Sequence, residues 1–146
     1  MCDPNFDTLK LENQLCFPLY ACSREMIRLY KPFLDELELT YTQYITMMVL
    51  WEKQAVTVKE LGHSLYLDSG TLTPLLKKLE SKGLVSRTRS PSDERNLIIS
   101  LTDAGEALKE KAIKVPIALA KYCNLEKEEA MELYRLLYKL LRTVER

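Results

Sequence analysis

The stretch TVKELGHSLYLDSGTLTPLLKKLESKG, residues 57–83, constrains the fold more than any other part of the sequence. It predicts two short helices separated by a tight turn, because Thr57 is a typical N-cap residue and Gly83 is typical of a helix C-terminus. The segments LVSRTR and NLIISL then predict two strands, which the polar, turn-forming segment SPSDER joins. We therefore expect a helix-turn-helix that is followed directly by a β-hairpin.

The second of these helices has three candidate N-caps, Asp68, Ser69 and Thr71. Thr71 is favoured, because Pro74 then occupies the first helical turn, where no amide donor is needed. The helix is expected to run to Lys82.

Helical periodicity also marks both ends of the chain. Apolar residues recur at three- and four-residue steps over about residues 11–36, which predicts a long amphipathic helix that begins close to Cys16 or is kinked at Pro18. Another helix is predicted in TYTQYITMMVLWEK. A fifth helix is expected to begin after Thr102 and to kink or end at Pro116, and NLEKEEAMELYRLLYKLLRTVE predicts a last amphipathic helix.

The predicted helix-turn-helix and hairpin carry side chains that suit DNA. Small and hydroxyl-bearing residues at the start of a helix can meet phosphates and base edges in a major groove, and lysines extend that face. Arginines of the hairpin can contact phosphates, and an arginine held by a carboxylate suits a narrow minor groove. The candidate DNA-binding residues are Ser69, Gly70, Thr71, Thr73, Lys77, Lys78, Arg87, Arg89, Asp93 and Arg95. The alternative for Asp93 and Arg95 is an exposed ion pair that contributes at most about 1 kcal/mol.

These elements predict a mainly α fold with a small β-hairpin wing, a winged helix-turn-helix. A chain of 146 residues fits a single domain over 1–146, with approximately residues 40–101 as the DNA-binding region. The helices at 11–36 and 103–146 have apolar stripes that one small domain can hardly cover. We expect them to be dimerisation helices, and the chain to be a homodimer.

Composition limits the chemistry that the chain can perform. The formal net charge of +0 argues against indiscriminate binding to nucleic acid, although the segment from Lys77 to Arg95 is locally basic. Irregularly spaced cysteines predict reduced thiols and no disulfide framework. With one histidine, His63, and no CxxC motif, we expect no metal site and no cofactor. The cysteines are Cys2, Cys16, Cys22 and Cys123.

The sequence also bears on location. No stretch approaches the roughly 18 consecutive apolar residues that a membrane span requires. The start, MCDPNFD, lacks the basic and apolar regions of a signal peptide. We therefore expect a cytoplasmic protein with no membrane partner.

The segment DERNLIISLTDAG resembles the wing signature of the MarR family of dimeric winged-helix repressors, in which Asp-x-Arg precedes Leu-Thr and a glycine. The matching positions are Asp93, Arg95, Leu101, Thr102 and Gly105. The segments LYLDSGTLTPLLKKLE and LENQLCFPLYACSREM resemble the OhrR-type branch, which senses organic hydroperoxides, and the similarity covers nearly the whole chain. The resemblance implies a repressor, and not an enzyme, that binds a pseudo-palindromic double-stranded DNA operator when reduced and leaves it when oxidised.

Cys16 has two interpretations. A small buried hydrophobe is the common fate of a cysteine in an apolar run. Tyr20, however, lies one helical turn from Cys16, so its hydroxyl could reach the sulfur. Tyr30 lies about 21 Å along the same helix and cannot reach its own Cys16. The resemblance implies that Cys16 is the redox sensor and that phenols matching Tyr20 and Tyr30 support its thiolate across a dimer interface.

A thiolate attacks peroxide to form a sulfenic acid, which a second thiol captures as a disulfide. Cys22 is poorly placed on the same helix, so Cys123 and a low-molecular-weight thiol both remain candidates for this resolving step. A second functional hypothesis is a MarR-type repressor that a non-covalent small-molecule ligand releases, with Cys16 inert. A thiol peroxidase would use the same cysteine, but the basic helix and wing argue against it.

Overall fold

The computed structural model describes residues 6–145, so Cys2 lies outside the described residues. Two short 3-10 helices, Phe6–Leu9 and Leu11–Asn13, precede the regular elements. These elements are α1 (Cys16–Asp35), α2 (Tyr41–Lys53), β1 (Ala55–Thr57), α3 (Val58–Leu65), α4 (Ser69–Ser81), β2 (Val85–Arg89), β3 (Leu97–Leu101), α5 (Asp103–Ala112), α6 (Lys114–Ala120) and α7 (Lys127–Val144). The mainly α fold with a small wing is confirmed.

The first long helix begins later than its periodicity predicts. The helical pattern suggests a start near residue 11, but α1 begins at Cys16, after the 3-10 helices. Pro18 is then the third residue of α1, in the first turn, where its missing amide leaves no hydrogen bond unmade. Of the two predicted alternatives, a helix that begins close to Cys16 and a helix that is kinked at Pro18, the structure has the first.

The N-cap of α4 is Asp68, and the expectation of Thr71 is wrong. The Asp68 carboxylate accepts a hydrogen bond from the backbone N–H of Thr71 at 2.7 Å. Capping at Asp68 adds three residues to the helix, and Pro74 becomes its sixth residue, where one backbone hydrogen bond is lost. The other end agrees with the sequence, because Gly83 follows the helix with a left-handed φ of 72°.

The wing belongs to a three-stranded antiparallel sheet in the order β1-β3-β2. The two predicted strands pair from Val85↔Leu101 to Arg89↔Leu97. The third strand, β1, was missed because three residues carry no periodic pattern. It pairs with β3, where Val56 lies opposite Ile99, and both side chains are buried.

One hydrophobic core joins the sheet to α2, α3, α4 and α5. Its fully buried side chains include Met47, Leu50, Leu61, Leu72, Leu76, Leu79 and Ile99. At its edge the indole N–H of Trp51 donates to the carbonyl oxygen of Gly105 at 2.8 Å. A side chain at Gly105 would overlap the Leu84 carbonyl oxygen, so this glycine permits the close approach of α5 to the start of β2.

The chain divides into two compact units, Met1–Val115 and Pro116–Arg146. The first contains the helix-turn-helix, the sheet and the core, and α5 belongs to it through the buried Gly105 and Ala112. The second contains α7, whose large apolar side chains are exposed. Among residues 6–145, no helix is both long enough and apolar enough to span a membrane.

Candidate functional site

One face of α4 is buried and the opposite face carries the predicted DNA-binding side chains. Leu72, Leu75, Leu76 and Leu79 lie in the core, and this fixes the rotation of the helix. The residues on the exposed face are Ser69, Gly70, Thr71, Thr73, Lys77 and Lys78. This face offers hydroxyl groups at the N-terminus of the helix and two lysine charges further along it.

Two of the polar groups at the start of α4 already have partners within the helix. The hydroxyl of Thr73 donates to the carbonyl oxygen of Ser69 at 2.8 Å, so it retains lone pairs to accept from a ligand. The hydrogen bond from the Thr71 backbone N–H lowers the pKa of the Asp68 carboxyl. The ionised cap offsets the positive end of the helix dipole, so a phosphate bound here would rely on hydroxyls and lysines.

The tip of the wing presents Arg95 to solvent. The Asp93 carboxylate accepts hydrogen bonds from the Arg95 backbone N–H at 3.1 Å and from its Nε at 3.4 Å. The Arg95 side chain is 93% exposed and the Asp93 side chain 41%. Arg89 donates from Nη1 to the carbonyl oxygen of Glu94 at 2.8 Å and so braces the loop. The wing thus holds one arginine outward beside a carboxylate.

Arg87 lies differently from the other candidate residues. Its Nη2 donates to Oε1 of Glu80 in α4 at 2.9 Å, and its Nε is buried. Strand alternation places Arg87 on the same face as the buried Val85, a signal that was available in the sequence. The Arg87 side chain is therefore directed at α4. This geometry favours the contact with Glu80 over the expected contact of Arg87 with a DNA phosphate.

A cavity of about 490 Å³ lies where α3, α4 and the wing meet. Its lining includes Ser69 and Thr73 from α4 and Arg87 and Arg95 from the wing region. The structure therefore brings the start of α4 and the wing, including Arg95, together around one cleft. Lys77, Lys78 and Arg89 lie outside its lining.

Cys16 is exposed, so within one chain it is not the buried hydrophobe of the alternative interpretation. It is the first residue of α1, a position at which backbone N–H groups have no partner within the helix. Tyr20, one turn later, accepts a hydrogen bond from Nη1 of Arg24 at 3.5 Å. The Arg24 guanidinium carbon lies 5.4 Å from the centroid of the Tyr20 ring. A thiol, a phenol and a cation thus follow one another along α1.

Tyr30 does not approach the Cys16 of its own chain, because α1 is one continuous helix between them. Its ring contacts Tyr41 edge-on, with centroids 5.0 Å apart, and lies 5.9 Å from Tyr44. Burial, and then the neighbouring Tyr30 and Tyr41, raise the pKa of Tyr44. The sequence analysis missed this tyrosine cluster, although the i, i+3 spacing of Tyr41 and Tyr44 on α2 was a usable signal.

The other two thiols of the described residues, Cys22 and Cys123, are also exposed. Cys22 is exposed on α1, six residues after Cys16. Cys123 is exposed in the unit that contains α7. Within the described part of the chain, no group of three or more His, Cys, Asp or Glu residues is arranged to hold a metal ion.

Comparison with known proteins identifies the family. A model of the transcriptional regulators SarA/Rot matches residues 28–112. The organic hydroperoxide resistance transcriptional regulator of Bacillus subtilis strain 168 is 52% identical over 95% of both chains. A mutant of MarR from E. coli, solved with operator DNA, superposes with a TM-score of 0.79 at 29% identity, covering 96% of this chain and 99% of that one. The chain belongs to the MarR family of winged-helix transcriptional regulators.

Within the MarR family, the solved structures of AbfR are also similar to this chain. Reduced AbfR bound to DNA has a TM-score of 0.81 and 37% identity, with 95% of each chain covered. Disulfide-formed AbfR has a TM-score of 0.66 and 38% identity, and covers 92% of this chain and 95% of that one. One of these two AbfR structures therefore holds DNA and the other a disulfide.

Proposed function

We propose that this MarR-family regulator is a homodimeric repressor that binds a pseudo-palindromic operator when reduced and leaves it when an organic hydroperoxide oxidises Cys16. The observation that carries the proposal is the exposed Cys16 thiol at the first position of α1. The thiolate is the reactive form of cysteine, and an exposed thiol is accessible to a peroxide. The similarity to a hydroperoxide resistance regulator supports this role.

The exposed face of α4 and the wing are the proposed DNA-binding surface. In this arrangement α4 lies in a major groove and Arg95 reaches an adjacent minor groove. Ser69, Gly70, Thr71 and Thr73 meet the DNA at the start of the helix, and Lys77, Lys78 and Arg89 contact phosphates. The relatives MarR and AbfR, whose solved structures contain DNA, support this assignment.

Two features of the chain support the proposed dimer. The large apolar side chains of α7 include Met131, Leu133, Tyr134 and Leu136, each at least 46% exposed. Such a face on a long helix favours association. Tyr30, in addition, can support a Cys16 only in another chain, because α1 separates it from its own.

The proposed chemistry is a two-electron oxidation of Cys16. The thiolate attacks the peroxide, the O–O bond breaks, an S–O bond forms, and the alkoxide takes up a proton and leaves as an alcohol. The resulting sulfenic acid condenses with a second thiol, forming a disulfide and releasing water. That thiol is Cys123 or a low-molecular-weight thiol of the cytoplasm. Exposed Leu15, Phe17 and Leu19 beside Cys16 favour peroxides with an apolar substituent.

The test is Cys16→Ser, assayed on the operator found by footprinting the region upstream of the protein's own gene. The variant should bind this DNA like the wild type, because serine preserves a small side chain at a helix start. Cumene hydroperoxide should release the wild type and the control Cys22→Ser, but not Cys16→Ser. Release of Cys16→Ser at the wild-type dose would contradict the proposal.

A second measurement distinguishes oxidation from release by a non-covalent ligand. Oxidative release should survive extensive dialysis and should be reversed by dithiothreitol. Release that dialysis alone reverses would favour the ligand mechanism.

A further inference from the structure

One ion pair connects the two DNA-binding elements of this protein. Arg87 Nη2 in β2 lies 2.9 Å from Glu80 Oε1 in the last turn of α4. The two side chains are only 24% and 38% exposed. By contrast, the pairs Arg28–Glu25 and Arg135–Glu132 each join residues of one helix, with side chains that are more than half exposed. The Glu80–Arg87 pair is therefore less screened by solvent and spans two elements.

The guanidinium of Arg87 is poorly placed to hold a phosphate. A two-point grip on a phosphate uses two adjacent guanidinium nitrogens. Here Nη2 is engaged with Glu80, and Nε is buried without a hydrogen-bond partner among residues 6–145. The hydrogen bond from Arg87, and then its positive charge, lower the pKa of the Glu80 carboxyl, so the pair remains ionised at neutral pH. The geometry thus favours an internal bridge over a contact with DNA.

This bridge lies where it can set the angle between helix and wing. Only the residues 82–84 connect α4 to β2, and the Thr102 hydroxyl donates to the Gly83 carbonyl oxygen in this connection at 2.6 Å. Strand β2 pairs with β3 up to Arg89↔Leu97, and the loop between these strands carries Arg95. A rotation of β2 against α4 would therefore move Arg95 relative to the face of α4.

We propose that Arg87 is a positioning residue, which through Glu80 locks the wing against α4 so that both reach their grooves together. This inference rests on the proposed DNA-binding surface. It concerns only how the wing is aligned with α4 within that surface. It assigns a role to Glu80, an acidic residue whose charge by itself would repel DNA.

Glu80→Gln distinguishes positioning from a direct phosphate contact, because the two roles predict changes of opposite sign. If Arg87 bound phosphate, removing Glu80's charge would free the guanidinium and tighten operator binding. If the pair positions the wing, Glu80→Gln should weaken operator binding about three- to tenfold, in the lower part of the range of coupling between residues in one network. Glu94→Gln, which removes a negative charge from the wing loop, should bind as tightly as the wild type or tighter.

Arg87→Met supplies a second, independent readout. Losing a direct phosphate contact should reduce the slope of log affinity against log salt by about 0.9. A positioning residue should lower the affinity with the slope unchanged. The charge-swapped double variant Glu80→Arg, Arg87→Glu should recover most of the wild-type affinity. A slope that falls by that amount, or Glu80→Gln binding at or above the wild-type level, would overturn the inference.

A double-mutant cycle with Arg95→Ala tests whether the bridge acts through the wing. The loss caused by Arg95→Ala should be smaller in the Glu80→Gln background, although Arg95 pairs with Asp93 and Glu80 pairs with Arg87. Equal losses in both backgrounds would overturn the proposed alignment. If Arg95→Ala leaves the operator affinity unchanged even in the otherwise wild-type protein, the result contradicts the proposed contact between Arg95 and DNA and not the bridge. Thermal unfolding of each variant checks that the fold is intact.

Discussion

Cys16 and Tyr30 lie on one continuous helix, α1, about 21 Å apart along its axis. The ring of Tyr30 is held edge-on against Tyr41 in α2, with centroids 5.0 Å apart. No side-chain rotation can carry the Tyr30 hydroxyl back to the Cys16 of the same chain. A sensor that uses both residues must therefore be completed by a second subunit.

Tyr30→Phe should slow the oxidation of Cys16 by cumene hydroperoxide roughly tenfold, because a hydrogen bond to a charged group is lost. In mixed dimers of wild-type and Tyr30→Phe chains, the slowed cysteine should belong to the chain that retains its own tyrosine. Mass spectrometry of isotope-labelled chains after a brief exposure to peroxide measures this. A slowed cysteine in the mutant chain would show that the site forms within one subunit.

Arg95→Ala should weaken operator binding by about 1 to 3 kcal/mol, the range of a specific contact. Because its side chain is 93% exposed, its removal should leave the fold, the dimer and the oxidation of Cys16 unchanged. The measurement is an anisotropy titration at fixed salt, with Arg28→Ala as a control of equal charge. Operator affinity equal to that of the control would remove the wing from the mechanism.

The sequence predicted elements whose signals are local. Thr57 and Thr102 cap α3 and α5 as expected, since each hydroxyl accepts the N–H of a residue three positions later. The N-cap of α4 was mispredicted because Asp68 and Thr71 are both good caps. The hydrogen bond from the Thr71 backbone N–H to the Asp68 carboxylate fixes the earlier start of α4, although Pro74 then lies beyond the first turn.

What the sequence missed depends on contacts between distant residues. Strand β1 forms because Val56 pairs with Ile99, more than forty residues away. The local sequence around Val56 does not predict this pairing. Glu80 and Arg87 belong to different elements, so helix spacing rules do not link them. The separation of Cys16 from Tyr30, in contrast, follows from helix geometry and could be predicted.

The capping carboxylate of α4 predicts a specific dependence of stability on pH. The hydrogen bond from Thr71 lowers the pKa of Asp68 in the folded state. Its contribution is therefore complete above the ordinary pKa of aspartate and is lost as the pH falls through the lowered value. Asp68→Asn retains an acceptor without this titration. The wild type should exceed the variant in free energy of unfolding near neutral pH, and this difference should shrink below about pH 4.

Urea unfolding of both proteins between pH 3 and pH 7, at one protein concentration, measures this difference. Carboxylates common to both proteins, such as Glu60, cancel in the comparison. A difference that does not change with pH would show that the charge of Asp68 adds nothing to the cap.

The fate of the oxidised cysteine gives the final prediction. Cys22 follows Cys16 by six residues on α1, a rise of about 9 Å, which exceeds the roughly 7 Å between Cα atoms that a disulfide can span. A bond between them within one chain would require α1 to unwind. Cys123 is an exposed thiol outside α1, and its backbone N–H donates to the Ala120 carbonyl oxygen at 3.3 Å. Among the thiols of residues 6–145, Cys123 is the one that we expect to capture the sulfenic acid when no small thiol is present.

Without added thiol, one equivalent of cumene hydroperoxide should therefore give a disulfide that contains Cys16 and Cys123 in the wild type and in Cys22→Ser. Cys123→Ser should instead accumulate sulfinic acid at Cys16, because the sulfenic acid persists and reacts with further peroxide. An added small thiol should rescue the variant by forming a mixed disulfide that dithiothreitol reduces. Peptide mapping by mass spectrometry identifies each product. If Cys123→Ser is oxidised and recovered like the wild type without added thiol, Cys123 is not the resolving residue.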